Sequence, residues 1–450
     1  MTTRAEDAAR FRQAVAANPA DRIAWHNLAA AEGDIGRASE AADAARRAIA
    51  LGIPAPETRL VLARALQSLR RLDEAQRAFE EAVSLRPAYA DAQRDLAQLI
   101  WMRTGDAQAA LERLESALRQ APEVGGLHHT RSIVREFAGD VSGALAAAGE
   151  GLNHAPDDVA LLRQASHLHL EVGNHARALE LAQKAASRAP GSGAEASVCE
   201  AFLAMGRAKE AATLATFLCG VRPHDQYLAA LQSTAWRLLG DPRYGAMNDY
   251  ARLVSTQRLD VPQGWTSLDV FLADVAADFE RLHEFVAHPL QQSVRGGSQL
   301  HLQAAELARP PIQALFGSIV AAVQRHVDQL GRGEGPLLSR NTGRFGFTGA
   351  WSVRLRSGGH HTDHVHPHGW ISSACYIALP PSVGSGGTNR AGWLRLGHPA
   401  LPTKPLLAAD HYVKPEAGML VLFPAYVWHG VEPFTSDQPR LSVAFDVVPV

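Results

Sequence analysis

The chain has 450 residues, a length that fits two or three domains, and its 44 basic and 46 acidic residues nearly cancel. That balance, without any Lys/Arg cluster, excludes a dedicated nucleic-acid surface. No apolar run is long enough to span a bilayer, the charged start lacks the apolar core of a signal peptide, and three cysteines (Cys199, Cys219, Cys375) make no disulfide framework. Together these fit a reducing cytoplasm, which is the expected location.

The first half is rich in Ala, Leu, Arg and Glu, and it repeats. Prolines stand at 19, 54, 87, 122, 156, 190 and 223, at spacings of 35, 33, 35, 34, 34 and 33 residues. Gly105, Gly139, Gly173 and Gly206 keep the same step, as do Ala41, Ala75, Ala110, Ala144, Ala178 and Ala212. Apolar residues between these marks fall at i, i+3, i+4 and i+7, as on amphipathic helices. The unit Leu62-Ala63, Leu66, Ala75, Phe79, Ala82 and Pro87, with Trp25 and Leu28 in the first repeat, resembles the tetratricopeptide pattern. About six such units fit residues 6–223. Each helical pair leaves an apolar face that only its neighbour covers, so an all-α array over 1–223 is expected. The resemblance implies a protein or peptide partner; an array that only docks on its own C-terminal domain or mediates self-association is the plainer alternative.

After Pro223 the period stops. Residues 226–240 read as a capping helix, and the chain then looks irregular through Trp265, so 224–262 is taken as cap and linker. Helices are expected over about 267–286, with Leu268, Phe271, Leu272, Val275, Phe279 and Leu282 on one stripe, and over about 311–330, with Ile312, Leu315, Ile319, Val320 and Val323 apolar. Val294–Gln299 reads as a turn and strand, whose Arg295 and Gln299 can face a site or simply build the turn.

From Arg344 the texture changes to short strands between Gly/Pro turns, expected at 351–356, 371–379, 391–396, 418–424, 427–431 and 440–448; a glycine-rich loop is expected at 384–387. Many short strands at regular spacing predict a sandwich or jelly roll with its β-core at about 344–450. Five of the 20 histidines lie within residues 360–368. Imidazole is the commonest protein metal ligand, and i, i+2 neighbours on a strand share a face, so either His361-Thr-Asp363 or His364-Val-His366 can aim two ligands at one ion. The two pairs have opposite parity, so on a regular strand they face opposite ways. His360 and His368 fit loop positions. Tyr376, Trp370, Trp393 and Trp428 can line a pocket, although core packing is the commoner fate of such aromatics.

Residues 344–450 resemble the Fe(II)/2-oxoglutarate-dependent oxygenases, specifically the bacterial type fused to tetratricopeptide repeats, which is related in pattern to aspartyl/asparaginyl β-hydroxylases. The resemblance rests on the histidine motif within 361–366, on His429 after Gly-x-x-x-x-Phe-Pro, and on Arg440, which follows His429 by eleven residues. It implies a double-stranded β-helix in the domain 263–450, with Fe(II), 2-oxoglutarate and O2 as cofactor and cosubstrates. It implies His429 as an iron ligand and Arg440 as the partner of the outer carboxylate of 2-oxoglutarate. Ser442 shares the face of Arg440 and can add a donor; Tyr376 is a further cosubstrate candidate. The position of Pro380, set against the β-hydroxylases, favours His364 as the first ligand. Those enzymes lack a carboxylate ligand, so His366 can be the third, with Asp363 orienting an imidazole or ligating directly. His361 with Asp363 remains the other pair. The implied function is hydroxylation of a protein or peptide brought by the repeats. The competing expectations are an inactive repeat scaffold, or a cupin-like metalloenzyme that does not use 2-oxoglutarate.

Overall fold

The chain divides into two compact units, Met1–Leu161 and Leu162–Val450, in a computed structural model that describes residues 3–383 and 390–450. The loop expected at 384–387 lies outside the described residues. The first unit is built of helix pairs: Arg22–Asp34 with Ala38–Ala50, Pro56–Ser68 with Leu72–Leu85, Ala90–Thr104 with Ala107–Gln120, and Gly125–Phe137 with Val141–His154. The periodic small residues sit where helices cross: Ala41, Ala75 and Ala144 are fully buried, and Ala110 nearly so. A larger side chain there would hold the backbones apart, which explains the period. Gly105 and Gly139 end their helices at φ 70° and 87°, a left-handed conformation that glycine adopts without strain. Asp21, Asp106 and Asp140 cap the helices that follow them by accepting backbone N–H bonds. The prolines have a second use. The side chain six residues on bonds to the proline carbonyl in three repeats: Trp25 to Pro19 at 3.0 Å, Gln93 to Pro87 at 2.9 Å, and His128 to Pro122 at 2.8 Å.

The second unit continues the repeats through His175–Arg188, Glu195–Ala204, Ala208–Val221 and Gln226–Leu239. In its last repeat the register slips by one residue: Ala211 is fully buried, and Ala212, expected at the crossing, is only half-buried. The expected capping helix is Gln226–Leu239, closed by the left-handed Gly240. It does more than cap the repeats, because Glu195–Ala204, Ala208–Val221 and Gln226–Leu239 share one apolar core with Val365 and Trp428 of the sheet domain. The stretch 224–262 is also not a linker throughout, since residues 255–258 form a strand of the sheet.

Nine strands follow among the described residues: β1 Ser255–Arg258, β2 Val294–His301, β3 Phe345–His364, β4 Ile371–Ala378, β5 Leu394–Leu396, β6 His411–Val413, β7 Met419–Pro424, β8 His429–Val431 and β9 Arg440–Pro449. All pairs are antiparallel, in the order β1-β7-β4-β9-β3-β8-β5-β6, with β2 on β3. The strand expected at 351–356 is therefore part of a 20-residue strand, whose first part pairs with β9 and whose last residues pair with β8. Sharing one long strand in this way curls the sheet into a jelly-roll-like half-barrel. Helices Leu268–Leu282 and Pro310–Leu330 complete the main core, where Phe271, Phe279, Ile319 and Val323 join Leu420, Leu422, Phe423 and Phe445. Val320, expected on that apolar stripe, is exposed at 44 %. Among the described residues, no helix is long and apolar enough to cross a membrane. The chain thus adopts the expected class: a tetratricopeptide-type helical array followed by a jelly-roll-like sheet domain with flanking helices.

Candidate metal centre

β3 and β8 meet with His364 opposite His429. A non-hydrogen-bonded or bulged pair at this point brings side chains close, and the two imidazole centroids are 4.1 Å apart. His366, just beyond the end of β3, lies 5.1 Å from His364 and 5.0 Å from His429 by ring centroid. One ring nitrogen from each of the three lies within 4.8 Å of the others, close enough to share one ion. Each ring is oriented through Nδ1. His364 Nδ1 donates to the Thr362 carbonyl at 2.9 Å, His429 Nδ1 to the Val427 carbonyl at 3.0 Å, and His366 Nδ1 to the Asp446 carboxylate at 2.6 and 2.7 Å. With Nδ1 protonated in this way, the Nε2 lone pairs are left to a metal. Burial pushes the His364 pKa down to about 4 and holds those of His361 and His429 well below the ordinary 6.5, so these imidazoles are neutral at pH 7.

The alternative pair does not form. Asp363 faces away from the three histidines, binding Arg395 through both oxygens at 2.8 and 2.6 Å and accepting from His398 Nδ1 at 2.9 Å. With both oxygens engaged by Arg395 and His398, Asp363 is not among the three residues whose ligand atoms converge, so the expectation that it ligates the metal or orients one of these histidines is corrected. His361 does reach the cavity, contrary to strict alternation. The register shifts between His361 and His364, and this irregularity turns both rings to one side. Its Nδ1 meets Ser293 Oγ at 3.0 Å, and the same hydroxyl lies 3.3 Å from His364 Nε2. His361 is nonetheless outside the group of three. His368 is exposed in the turn after β3, as expected, whereas His360, expected in a loop, lies within β3 opposite Arg295 and bonds the Gly358 carbonyl through its ring.

Arg440, Ser442 and Ala444 line the same cavity from β9. Arg440 is 1 % exposed, its Nε has no partner, and among the described residues no carboxylate pairs with it. Its own bonds are one to Ser442 Oγ at 3.2 Å and a stack 5.0 Å over the Tyr376 ring. Burial lowers the Arg440 pKa and pushes the Tyr376 phenol up to about 12. Trp370 and Trp428 are core residues, whose indole N–H groups bond Leu337 and Thr234. Trp351, tilted 5.4 Å from His366, is the tryptophan that lines the cavity. Arg295 builds the turn before β2, donating to the carbonyls of Gln292 and Val294.

Sequence reasoning missed Asp446 and Ser293. Asp446 was within reach, because 440, 442, 444 and 446 alternate on one strand and share a face. It also accepts from Ser372 Oγ at 2.7 Å, which fixes the carboxylate against His366. Ser293 carried no local signal; only the pairing of β2 with β3 brings it to the histidines.

Three imidazoles that are tied through Nδ1 and turn Nε2 inward suit a first-row divalent ion, and a buried guanidinium short of partners suits a carboxylate ligand. Residues 349–446 match the family described as "Putative 2OG-Fe(II) oxygenase", and residues 60–124 match a tetratricopeptide repeat family. No curated protein matches the chain. Among solved structures, it is similar to YrrB, a TPR protein with an unusual peptide-binding site (18 % identity over 41 % of this chain and 94 % of that one, TM-score 0.28). It is also similar to a thermophilic TPR protein of Thermus thermophilus (22 %, 40 % and 99 %, TM-score 0.33), and to Pseudomonas aeruginosa PilF (14 %, 45 % and 92 %, TM-score 0.36). By the two family matches, the chain carries tetratricopeptide repeats within 60–124 and, over 349–446, a domain of the family described as putative 2OG-Fe(II) oxygenase.

Proposed function

We propose that the C-terminal domain is an Fe(II)- and 2-oxoglutarate-dependent dioxygenase that hydroxylates a protein or peptide recruited by the repeats, in the cytoplasm. The observation that carries this reading is Arg440: a cation buried without a counter-charge among the described residues, in the same cavity as three imidazoles whose ring nitrogens lie within 4.8 Å of one another. A fold does not keep such a charge cheaply unless a ligand neutralises it.

In this reading His364, His366 and His429 hold Fe(II), which, with 2-oxoglutarate and O2, supplies the oxidising chemistry. Arg440 takes the cosubstrate's distal carboxylate in a two-pronged hydrogen bond, and Ser442 keeps the guanidinium turned inward. Tyr376 supports the guanidinium through its ring face. Asp446 fixes the His366 tautomer and raises its basicity as a ligand. The apolar lining, including Val353, Leu394 and Phe423, excludes water from the reacting centre. A protein substrate agrees with the repeats, and three unpaired cysteines agree with a reducing compartment.

The test is 2-oxoglutarate binding by the Fe(II)-loaded full chain, compared with Arg440→Ala. Loss of binding in the variant, with metal binding kept, is expected. Equal 2-oxoglutarate affinity in both would remove the cosubstrate from the reading and favour a metalloenzyme that does not use it.

A further inference from the structure

We propose that the last helical repeat, residues 195–239, is a positioning element of the metal centre, acting on it through Thr234 and Trp428; this inference rests on the metal-centre reading above. Two of the three converging histidines have a sequence neighbour held by the helix Gln226–Leu239. Trp428 directly precedes His429. Its indole Nε1–H donates to Thr234 Oγ1 at 2.9 Å, and the Thr234 hydroxyl in turn donates to the Ala230 carbonyl at 2.8 Å. The Tyr227 ring stands edge-on to the Trp428 ring at 5.7 Å, and its hydroxyl donates to Glu200 of the preceding repeat helices at 2.8 Å. Pro367 directly follows His366, and its carbonyl accepts the Gln226 backbone N–H at 3.0 Å. That donor belongs to the first turn of the helix, where no intrahelical acceptor exists. Asp225 caps the next two N–H groups, so the turn is completed by the segment that bears His366.

The contact is closed to water. Trp428, Thr234 and Gln226 are 5 %, 3 % and 1 % exposed. A third tie runs through Gly397, whose N–H donates to the Trp428 carbonyl at 2.8 Å while its own carbonyl accepts from Arg237 at 2.8 Å. Trp428 thus has its indole and its carbonyl both tied, directly or through one residue, to one helix. His429 leans on this segment as well, since its Nδ1 donates to Val427, on the far side of Trp428. Removing the Thr234 hydroxyl leaves a buried indole N–H without an acceptor, a group that must shift to be satisfied. Any such shift carries the His429 backbone with it. The last repeat therefore sets where two of the imidazoles stand, and that repeat and the metal centre are one mechanical piece.

The experiment is Co(II) titration of the full chain under anaerobic conditions, read by visible absorption, with melting followed in parallel. Thr234→Val keeps the shape and removes the hydroxyl; Thr234→Ser restores it. Ser166→Ala, which removes a buried hydroxyl bonded to the Ala178 carbonyl in another repeat, controls for general destabilisation. The expected result is a Co(II) affinity weakened roughly tenfold, with altered ligand-field bands, in Thr234→Val, the lower end of what groups behind a ligand contribute. Thr234→Ser is expected to regain wild-type values, and Ser166→Ala to melt earlier with its Co(II) spectrum unchanged. A Thr234→Val protein that melts earlier but binds Co(II) with wild-type affinity and bands would overturn the proposal. Should Thr234→Val not fold, Trp428→Phe, which keeps an aromatic ring and loses the N–H, is read by the same criteria. Wild-type protein whose Co(II) spectrum survives His429→Ala, or that binds no Co(II), overturns the metal-centre reading itself, and this inference with it.

Discussion

Several arginines in the repeat unit are matched with carboxylates: Arg12 lies 2.6 Å from Glu32 and Arg64 2.6 Å from Asp95, both guanidinium groups reaching partly into solvent. Arg440, in the sheet domain, is buried and has a serine hydroxyl and an aromatic ring for company. The Arg64–Asp95 pair bridges helices in reach of solvent and is worth little by itself, since water and salt compete with it, whereas Arg12 neutralises the buried Glu32 through two hydrogen bonds. A buried guanidinium left without a carboxylate is the opposite case, costly by itself and stabilised when an anion arrives. The difference separates residues that hold the fold from a residue that the fold holds ready.

The contrast can be broken most forcefully at the metal. His429→Ala is expected to weaken Fe(II) or Co(II) binding by more than about 100-fold, because groups behind a ligand are alone worth roughly 10–100-fold; equilibrium dialysis measures it. Next comes Arg440→Met. It should cost about 2–5 kcal/mol of 2-oxoglutarate affinity by calorimetry. It should also raise the stability of the metal-free protein by about 1 kcal/mol or more, as removing a badly solvated charge does. Gain of stability with loss of binding is the signature of a residue kept for a ligand. Asp446→Asn, which keeps the shape and loses the charge behind His366, should weaken metal binding about 10-fold while leaving 2-oxoglutarate's share of the affinity intact.

Acid sharpens the comparison from another side. The folded pKa of His364 lies at about 4, below the ordinary 6.5, so the unfolded chain takes up its proton first. Stability of the metal-free protein from this group is present above pH 6.5 and is lost as pH falls towards 4, seen as a falling melting temperature that His364→Gln makes flatter. The smallest effect belongs to the repeat unit. Arg64→Ala should change stability by less than about 1 kcal/mol and leave metal binding untouched.

What can be read in advance follows the range of the interactions. Repeat length and helix ends are local matters of proline, glycine and alanine, and the step of 33 to 35 residues between prolines is plain. Arg440 and Ser442 share parity on one strand, so their common face is legible too. Asp363 misleads because its partners, Arg395 and His398, arrive from segments 32 and 35 residues away. His361 defeats the parity argument because a register irregularity breaks alternation between it and His364. The bond from Trp428 to Thr234 joins positions 194 residues apart, and no periodicity announces it. For the same reason the chain after Pro223 reads as a boundary, when the helix Gln226–Leu239 in fact packs into a core shared with the sheet domain.

The measurement that bears most directly on the central claim is the visible spectrum of the anaerobic full chain, titrated with Fe(II) and then with 2-oxoglutarate. A weak charge-transfer band that appears only when both are present, and that Arg440→Met requires far more 2-oxoglutarate to produce, is the predicted result. Iron bound through His429 with no such band at any 2-oxoglutarate concentration would contradict it.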